Sequence, residues 1–350
     1  MFTRKSLVAI FLSGVMAFSM VGCTGAGKTA SVANASSATA KAASGSKAKT
    51  VLKCSFNQTA DNPEYKAVAK LSDELKKQTN GDYEIDISPN ALLGDQQTSL
   101  ELVENGSIQM AIVANSLVED INKDFSIIGC PYMFDSQDQQ KKLFESDSLK
   151  DLFATTESKG FDVVSAYSLG PRSVYSTVPV KTPADLKGKK IRVMQSNTMV
   201  KMLNLMGGIG TAMSQGDVYS AVQAHTIDGA ENNIITFTEL KHYEVCKYYS
   251  FTNHLMIPDL LVINHSVYKN MPQKDQAIFN NLAKESVENM FSLMDEETAK
   301  CKKEDEAHGV KFNSVDITPF KENCKPLINE CANRDASTKK IYADVQKIKA

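Results

Sequence analysis

The stretch VLKCSFNQTADNPEYKAVAKLSDELKKQTNGDYEIDIS, residues 51–88, predicts a strand, a helix and a second strand. Its first six residues are rich in β-prone apolar types. Asn62 is a preferred helix N-cap, and Pro63 suits the first helical position. Apolar side chains then recur at helical spacing until the pair Asn80-Gly81, which favours a turn. The last six residues alternate in polarity as a half-buried strand does, so the stretch predicts a β-α-β unit.

The same alternation of strand and helix continues along the chain. A helix is predicted for residues 94–105 and a strand for residues 108–113, and this order is typical of an α/β lobe with a largely parallel sheet. After residue 160 the pattern returns. It includes a strand over residues 190–194 and a helix after Ser214, whose spacing to Asp217 is that of a capping box.

The C-terminal part is predicted to be helical, with one long helix over residues 272–308. At 1.5 Å per residue such a helix is longer than a small lobe is wide, so we infer that it crosses between two lobes. About 300 residues follow the N-terminal region, which is enough for about two lobes with sizeable cores.

The N-terminus has the features of a secretory targeting signal. Two basic residues precede an apolar run over residues 7–22, too short for a membrane span but typical of a secretory signal peptide over residues 1–22. The run ends in Met20-Val21-Gly22-Cys23, which resembles a bacterial lipobox and implies cleavage before Cys23 and lipidation of its thiol. The alternative is an ordinary cleaved signal. Residues 23–50 are predicted to be a flexible tether, because they hold few side chains that could form a core.

Several motifs and compositions exclude function classes. Residues 22–29 match the spacing of a phosphate-binding P-loop, but they straddle the predicted cleavage site and lack the flanking strand and helix that the loop needs. A formal net charge of −2 argues against nucleic acid as a partner. The histidines lack the spacing of a zinc site on one helix, and no nucleophile elbow is present. We therefore expect no catalysis, no cofactor and no metal.

The chain has seven cysteines without a CxxC pair, which disfavours a zinc or thioredoxin-like site. Apart from Cys23, we expect buried free thiols. One disulfide among Cys301, Cys324 and Cys331 is the alternative.

Three polar side chains fall at predicted strand ends, where α/β folds present ligand-binding groups: Arg172, Arg192 and Asn232. Arg192 lies within an apolar strand, and a guanidinium buried there needs an anion. Its planar fork matches a carboxylate. The residues alone leave two partners open, a ligand carboxylate or a structural ion pair with Glu231 or Asp228.

Six separated blocks occur in the order found in the DctP family, the solute-binding proteins of TRAP transporters. The chain resembles that family from about residue 51 to the long helix, through the blocks GPR (170–172), TPADLKGKKIRV (182–193), GDVYSAVQ (216–223), DGAEN (228–232), YEVCKY (243–248) and NH (253–254).

The resemblance implies two α/β lobes, joined by crossing strands and the long helix, that close over a ligand. It places one lobe in residues 51–169 plus 258–297 and the other in residues 170–257 plus 298–350. It also implies that Arg192 pairs with the ligand carboxylate and that five further residues contact the ligand: Arg172, Asn232, Asn57, Asn115 and Ser116.

Residues 194–196, Asn233 and residues 242–249 look like the sugar-acid branch of the family. The resemblance therefore implies a uronate-like monocarboxylate as solute and TRAP permease subunits as partners. Together with the predicted signal peptide and lipobox, it predicts an extracytoplasmic protein that is anchored to the cell membrane through lipid. Alternatives are a C4-dicarboxylate binder, a ligand-sensing receptor, or an enzyme that acts on sugar acids through a carboxylate such as Glu231. Ser214-Gln215 departs from the usual apolar or aromatic pair and is expected to change the pocket wall.

Overall fold

A computed structural model gives the fold, and the structure describes residues 50–349. The predicted signal peptide, Cys23 and the predicted tether up to residue 49 lie outside the described residues. Within the described residues, the strands in chain order are β1 (Thr50–Ser55), β2 (Tyr83–Ser88), β3 (Met110–Ala114), β4 (Phe161–Tyr167), β5 (Arg172–Ser176), β6 (Lys190–Val193), β7 (Ile209–Ala212), β8 (Gly229–Asn232), β9 (Tyr248–Leu255), β10 (Asp259–Asn264) and β11 (Lys311–Ser314).

The α-helices of residues 50–349 fill the connections between these strands and form the C-terminal part. In chain order they are α1 (Pro63–Gln78), α2 (Gln96–Glu104), α3 (Asn115–Val118), α4 (Gln137–Glu145), α5 (Lys150–Ala154), α6 (Asn197–Leu205), α7 (Val218–Gln223), α8 (Ile234–Glu239), α9 (His265–Asn270), α10 (Gln273–Ala307), α11 (Thr318–Ala332) and α12 (Ala336–Lys349).

The first sheet has the order β2-β1-β3-β10-β4. Its β1, β2 and β3 are parallel, as the β-α-β-α-β pattern predicts. By contrast, β10 comes from much later in the chain and runs antiparallel to both β3 and β4. The sheet is therefore mixed, because a long-range strand completes what the local pattern begins.

The second sheet has the order β11-β9-β5-β8-β6-β7. Here β6 is parallel to β7 and β8, whereas β5 is antiparallel to β8 and β9. Short segments carry the chain from one sheet to the other between β4 and β5 and again between β9 and β10. The mixed α/β architecture with two sheets confirms the predicted fold class. The exact lobe boundaries stay a prediction.

The long helix α10 spans 35 residues. It packs against α1 and β4 of the first half and against α8 of the second. The Thr238 hydroxyl donates to Asp305 near the end of α10 (2.9 Å), and the Ser165 hydroxyl donates to the carbonyl of Ala283 in its first third (3.0 Å). The inference that the helix crosses between two lobes is therefore confirmed.

Of the two helix N-caps predicted at Asn62 and Ser214, the structure confirms the first only. Asn62 caps α1 as predicted, and its side-chain oxygen accepts from the backbone N–H of Glu64 (3.0 Å). Ser214 does not cap a helix through its side chain, and the predicted capping box there is wrong. The chain makes a short 3-10 turn at Gln215–Asp217 instead, and Ser214 lines a cleft.

The six cysteines of the described residues are buried and free, which confirms the predicted buried thiols. No helix in residues 50–349 is both long enough and apolar enough to span a membrane.

Candidate ligand-binding site

A cleft of about 300 Å³ lies among loops and strand ends from both sheets. That volume is at the lower end of the range for small-molecule sites. Its wall consists of Asn57, Asn90, Ala91, Asp95, Gln96 and Leu117 from the first half and Arg192, Met194, Gln195, Ser214, Gln215, Gly216, Tyr219, Leu240 and His242 from the second.

Among the wall residues within residues 50–349, Arg192 is the one with a cationic side chain. It lies on β6 and is only 2% exposed. Its Nε donates to the carbonyl of Met213 (2.8 Å), but no carboxylate in residues 50–349 forms an ion pair with it. Burial lowers the pKa of Arg192 to about 10, although Glu231 partly opposes that shift. The guanidinium nonetheless stays charged at neutral pH, with its terminal nitrogens free of protein partners among the described residues.

The two structural partners considered for Arg192 are engaged elsewhere. Asp228 pairs with Lys189 (3.2 Å) and accepts from the backbone N–H of Lys190 (2.8 Å). Glu231 pairs with Arg172. The structural ion pair is therefore not what holds Arg192.

Arg172 is buried against Glu231 in a two-pronged ion pair. Its Nε and one terminal nitrogen donate to the two carboxylate oxygens (2.7 and 2.8 Å), and the other terminal nitrogen donates to Asn232 Oδ1 (2.5 Å). Burial by itself raises the pKa of Glu231, but the ion pair with Arg172 and the contact with His254 (Nε2 to Oε2, 3.3 Å) together outweigh it and lower that pKa to about 2. The charge of Arg172 is thus already balanced within the protein.

The remaining predicted contacts are divided between the wall and the layer behind it. Asn57 lines the cleft with Arg192, whereas Arg172, Asn232, Asn115 and Ser116 are not among the described wall residues. Asn232 Oδ1 also accepts from the backbone of Asn233 (2.9 Å). Asn115 donates to the carbonyl of Phe125 (2.9 Å), and the hydroxyl of Ser116 donates to the sulfur of Met194, a wall residue (3.6 Å).

Glutamines that the sequence analysis did not single out as contacts link the two sides of the cleft. Gln215 Nε2 donates to Gln58 Oε1 (3.1 Å), and Gln58 in turn donates to the Thr236 hydroxyl (3.3 Å). Gln195 donates to Gln97 (3.2 Å). The signal for Gln215 was its departure from the family pattern. The structure shows that this departure places an amide on the wall.

The register of the second sheet explains which side chains share a face. Tyr175 and Arg192 both pair with Ala230, from the two sides of β8. Directly paired residues point to the same face, and adjacent strands are about 4.8 Å apart. Tyr175 and Arg192 therefore flank a small alanine on one face of the sheet.

His242 lies on the same wall and contacts Tyr175. Its Nδ1 is 2.7 Å from the Tyr175 hydroxyl. Burial, with help from the charge of Arg192, lowers the pKa of His242 to about 4, so the imidazole is neutral at neutral pH. In the described wall Arg192 therefore supplies the positive charge and Asp95 the carboxylate, among neutral hydrogen-bonding groups.

Glu157, Asp162 and His265 bring their ligand atoms within 4.8 Å of one another, close enough for a cation. They lie at the first sheet, and none of them lines the cleft. His265 Nδ1 already hydrogen-bonds to Asp162 (2.9 Å).

The chain is similar to known proteins of one family. The family model of bacterial extracellular solute-binding protein, family 7 (DctP), matches residues 55–335. A TRAP periplasmic solute-binding protein of Anaerococcus prevotii, solved with bound α/β-D-glucuronate, is 32% identical, with a TM-score of 0.83 over 85% of this chain and 98% of that one. A second, from Xanthobacter autotrophicus with bound β-D-galacturonate, is 31% identical, with a TM-score of 0.81 over 85% and 99%. The 2,3-diketo-L-gulonate-binding periplasmic protein of Escherichia coli is 28% identical over 79% of this chain and 78% of its own.

Proposed function

The chain belongs to bacterial extracellular solute-binding protein family 7, the DctP family of TRAP transporters, and we propose that it captures a hexuronate or a closely related sugar acid through Arg192 and delivers it unchanged to the membrane permease.

The observation that carries the proposal is the cation of Arg192, which is buried in the cleft wall without a carboxylate partner in residues 50–349. A buried charge without a counter-ion is costly, and a carboxylate that accepts two parallel hydrogen bonds from the guanidinium offsets that cost. Each such charge-assisted bond contributes about 1.5–3 kcal/mol.

The charge balance of the wall favours a monocarboxylate. In the described wall, Arg192 is the cation and Asp95 is an anion, so a second ligand carboxylate would have no cation to meet and would be repelled by Asp95. This argues against the C4-dicarboxylate alternative. The neutral amides of Asn57, Gln195 and Gln215 suit hydroxyl groups, which a sugar acid carries in number. The uronates bound to the two structural neighbours have this chemistry.

Titration calorimetry tests the proposal with D-glucuronate, D-galacturonate and succinate. We expect the wild type to bind at least one uronate more tightly than succinate. Arg192→Ala should lose at least about 100-fold in affinity, because two charge-assisted bonds are removed. Arg334→Ala is the matched control, since Arg334 is an arginine outside the cleft that pairs with Asp124 at 4.0 Å. Unchanged uronate affinity in Arg192→Ala would refute the carboxylate role.

The proposal extends to the membrane. We propose that Cys23 carries a lipid and that residues 23–50 tether the binding domain, so that the loaded protein stays near the permease. Labelling of cells with a fatty-acid analogue should mark the wild type and not Cys23→Ser. Equal labelling of both proteins would contradict the anchor.

A further inference from the structure

His242 is a buried histidine in the cleft wall. It follows Lys241, whose backbone is left-handed (φ 55°), and it begins the short 3-10 turn His242–Glu244. The side chain is 2% exposed, yet it lines the cleft together with Arg192. Because a buried polar side chain is normally hydrogen-bonded, the partners of its two ring nitrogens decide what it can do.

The two nitrogens of His242 differ in their surroundings. Nδ1 is 2.7 Å from the Tyr175 hydroxyl, whereas Nε2 has no hydrogen-bond partner in residues 50–349. Nor does Nε2 belong to the fully buried polar atoms that lack a partner, so it is accessible from the cleft. One nitrogen therefore positions the ring, and the other is available to a ligand.

Tyr175 fixes the tautomer of the ring. Burial raises the pKa of Tyr175 well above its usual value, so the phenol keeps its proton. Within residues 50–349, Nδ1 of His242 is the acceptor within hydrogen-bond distance of that hydroxyl. A buried hydroxyl whose proton has no acceptor is costly, so the phenol donates to Nδ1. In a neutral imidazole the other nitrogen then carries the hydrogen.

We infer that His242 is a specificity-determining residue of the site proposed above, and that its Nε2–H donates to the ligand oxygen next to the carboxylate held by Arg192. The sheet register supports this placement, because Tyr175 and Arg192 flank Ala230 on one face and His242 lies against Tyr175. Tyr175 is the positioning residue.

The inference narrows the ligand class. In a pyranose uronate, the carbon that bears the carboxylate also bears the ring oxygen, which can only accept a hydrogen bond. A neutral N–H donor at that point suits such an oxygen. A carboxylic acid that has only carbon there would leave the Nε2–H unsatisfied, and an unmade buried hydrogen bond reduces affinity. The wall therefore favours acids with an oxygen substituent beside the carboxylate.

Two substitutions separate a ligand contact from a structural role. The amide of Gln in His242→Gln reaches the place of Nε2, whereas the amide of Asn in His242→Asn reaches the place of Nδ1 and still meets Tyr175. Calorimetry with D-glucuronate should therefore show His242→Asn weakened by about 10-fold, the value of one hydrogen bond, and His242→Gln weakened less. His265→Asn and His265→Gln are the control pair, because His265 pairs with Asp162 away from the cleft.

The reverse order, with Asn tolerated and Gln not, would show that His242 serves only Tyr175 and would overturn the inference. Equal affinities in the two variants would overturn it as well. The ¹⁵N resonance of Nε2 supplies a second readout: it should shift when D-glucuronate is added and stay unchanged in Arg192→Ala, which does not hold the ligand. A wild type that binds no uronate would instead refute the proposed function, and the inference with it.

Discussion

The buried ion pair between Arg172 and Glu231 is expected to contribute measurably to the free energy of unfolding. In Glu231→Gln, Arg172 loses the carboxylate that it pairs with but stays buried. Breaking a buried ion pair by removing one partner typically costs about 3–5 kcal/mol. The pKa shift of Glu231 gives a second figure for the same ion pair. A folded-state pKa of about 2, against an ordinary 4.5, corresponds to about 3 kcal/mol at neutral pH. The two figures agree, so a loss of about 3 kcal/mol in unfolding free energy is expected.

Urea unfolding followed by circular dichroism measures this loss. Because the pKa of Glu231 is depressed in the folded state, its contribution is present above about pH 4.5 and disappears as the pH falls towards 2. The difference between wild type and Glu231→Gln should therefore shrink over that range. Glu288→Gln is the control and should change stability by less than about 1 kcal/mol, because Glu288 forms an exposed pair with Lys141.

A double variant tests whether the loss of stability comes from leaving the buried charge of Arg172 unpaired. Arg172→Met with Glu231→Met removes both charges, and the replacement of a whole buried pair by apolar side chains is often neutral or stabilising. It should be more stable than Glu231→Gln. A loss below about 1 kcal/mol in Glu231→Gln, or a loss that persists unchanged at pH 2, would refute the account of Arg172 as a cation neutralised within the protein.

Two further predictions concern other buried groups. Burial raises the pKa of Glu119 to about 8, so its contribution to stability is complete below about pH 4.5 and is lost as the pH rises through 8. Between about pH 5 and about pH 9, the thermal unfolding temperature should therefore decline less in Glu119→Gln than in the wild type. An equal decline in both proteins would contradict the raised pKa of Glu119. Gln215→Ala removes the hydrogen bond from the Gln215 side-chain amide to Gln58 across the cleft. Because one such hydrogen bond contributes about 1 kcal/mol, D-glucuronate should dissociate about 5-fold faster in a stopped-flow experiment. An unchanged rate would show that the Gln58 contact does not help to hold the cleft closed.

Much of the fold follows from local patterns in the sequence. The first three strands and the helices between them have clear periodicities, and the cap at Asn62 is a local interaction between neighbouring residues. The length of α10 is likewise visible from its spacing of apolar residues. By contrast, β10 joins the first sheet from about 145 residues beyond β3, and no local pattern specifies such a pairing.

The candidate site shows the same division. The sequence alone drew attention to Arg172, Arg192 and Asn232 and left open whether Arg192 meets a ligand carboxylate or a structural ion pair with Glu231 or Asp228. Sheet register decides it. Arg192 pairs with Ala230, so Glu231 points to the opposite face, whereas Val174, two residues after Arg172, pairs with Glu231.

Glu231 therefore meets Arg172, and Arg192 remains available in the cleft. His242 and Gln215 could be seen in the sequence only as parts of a family pattern or as departures from it. Their places on the wall depend on which loops converge, and the sequence does not encode that convergence locally. Residue types and spacing thus determined the elements and the candidate charges. The alternation of side chains across paired strands, a property of the assembled sheet, decided which of the two arginines faces the cleft.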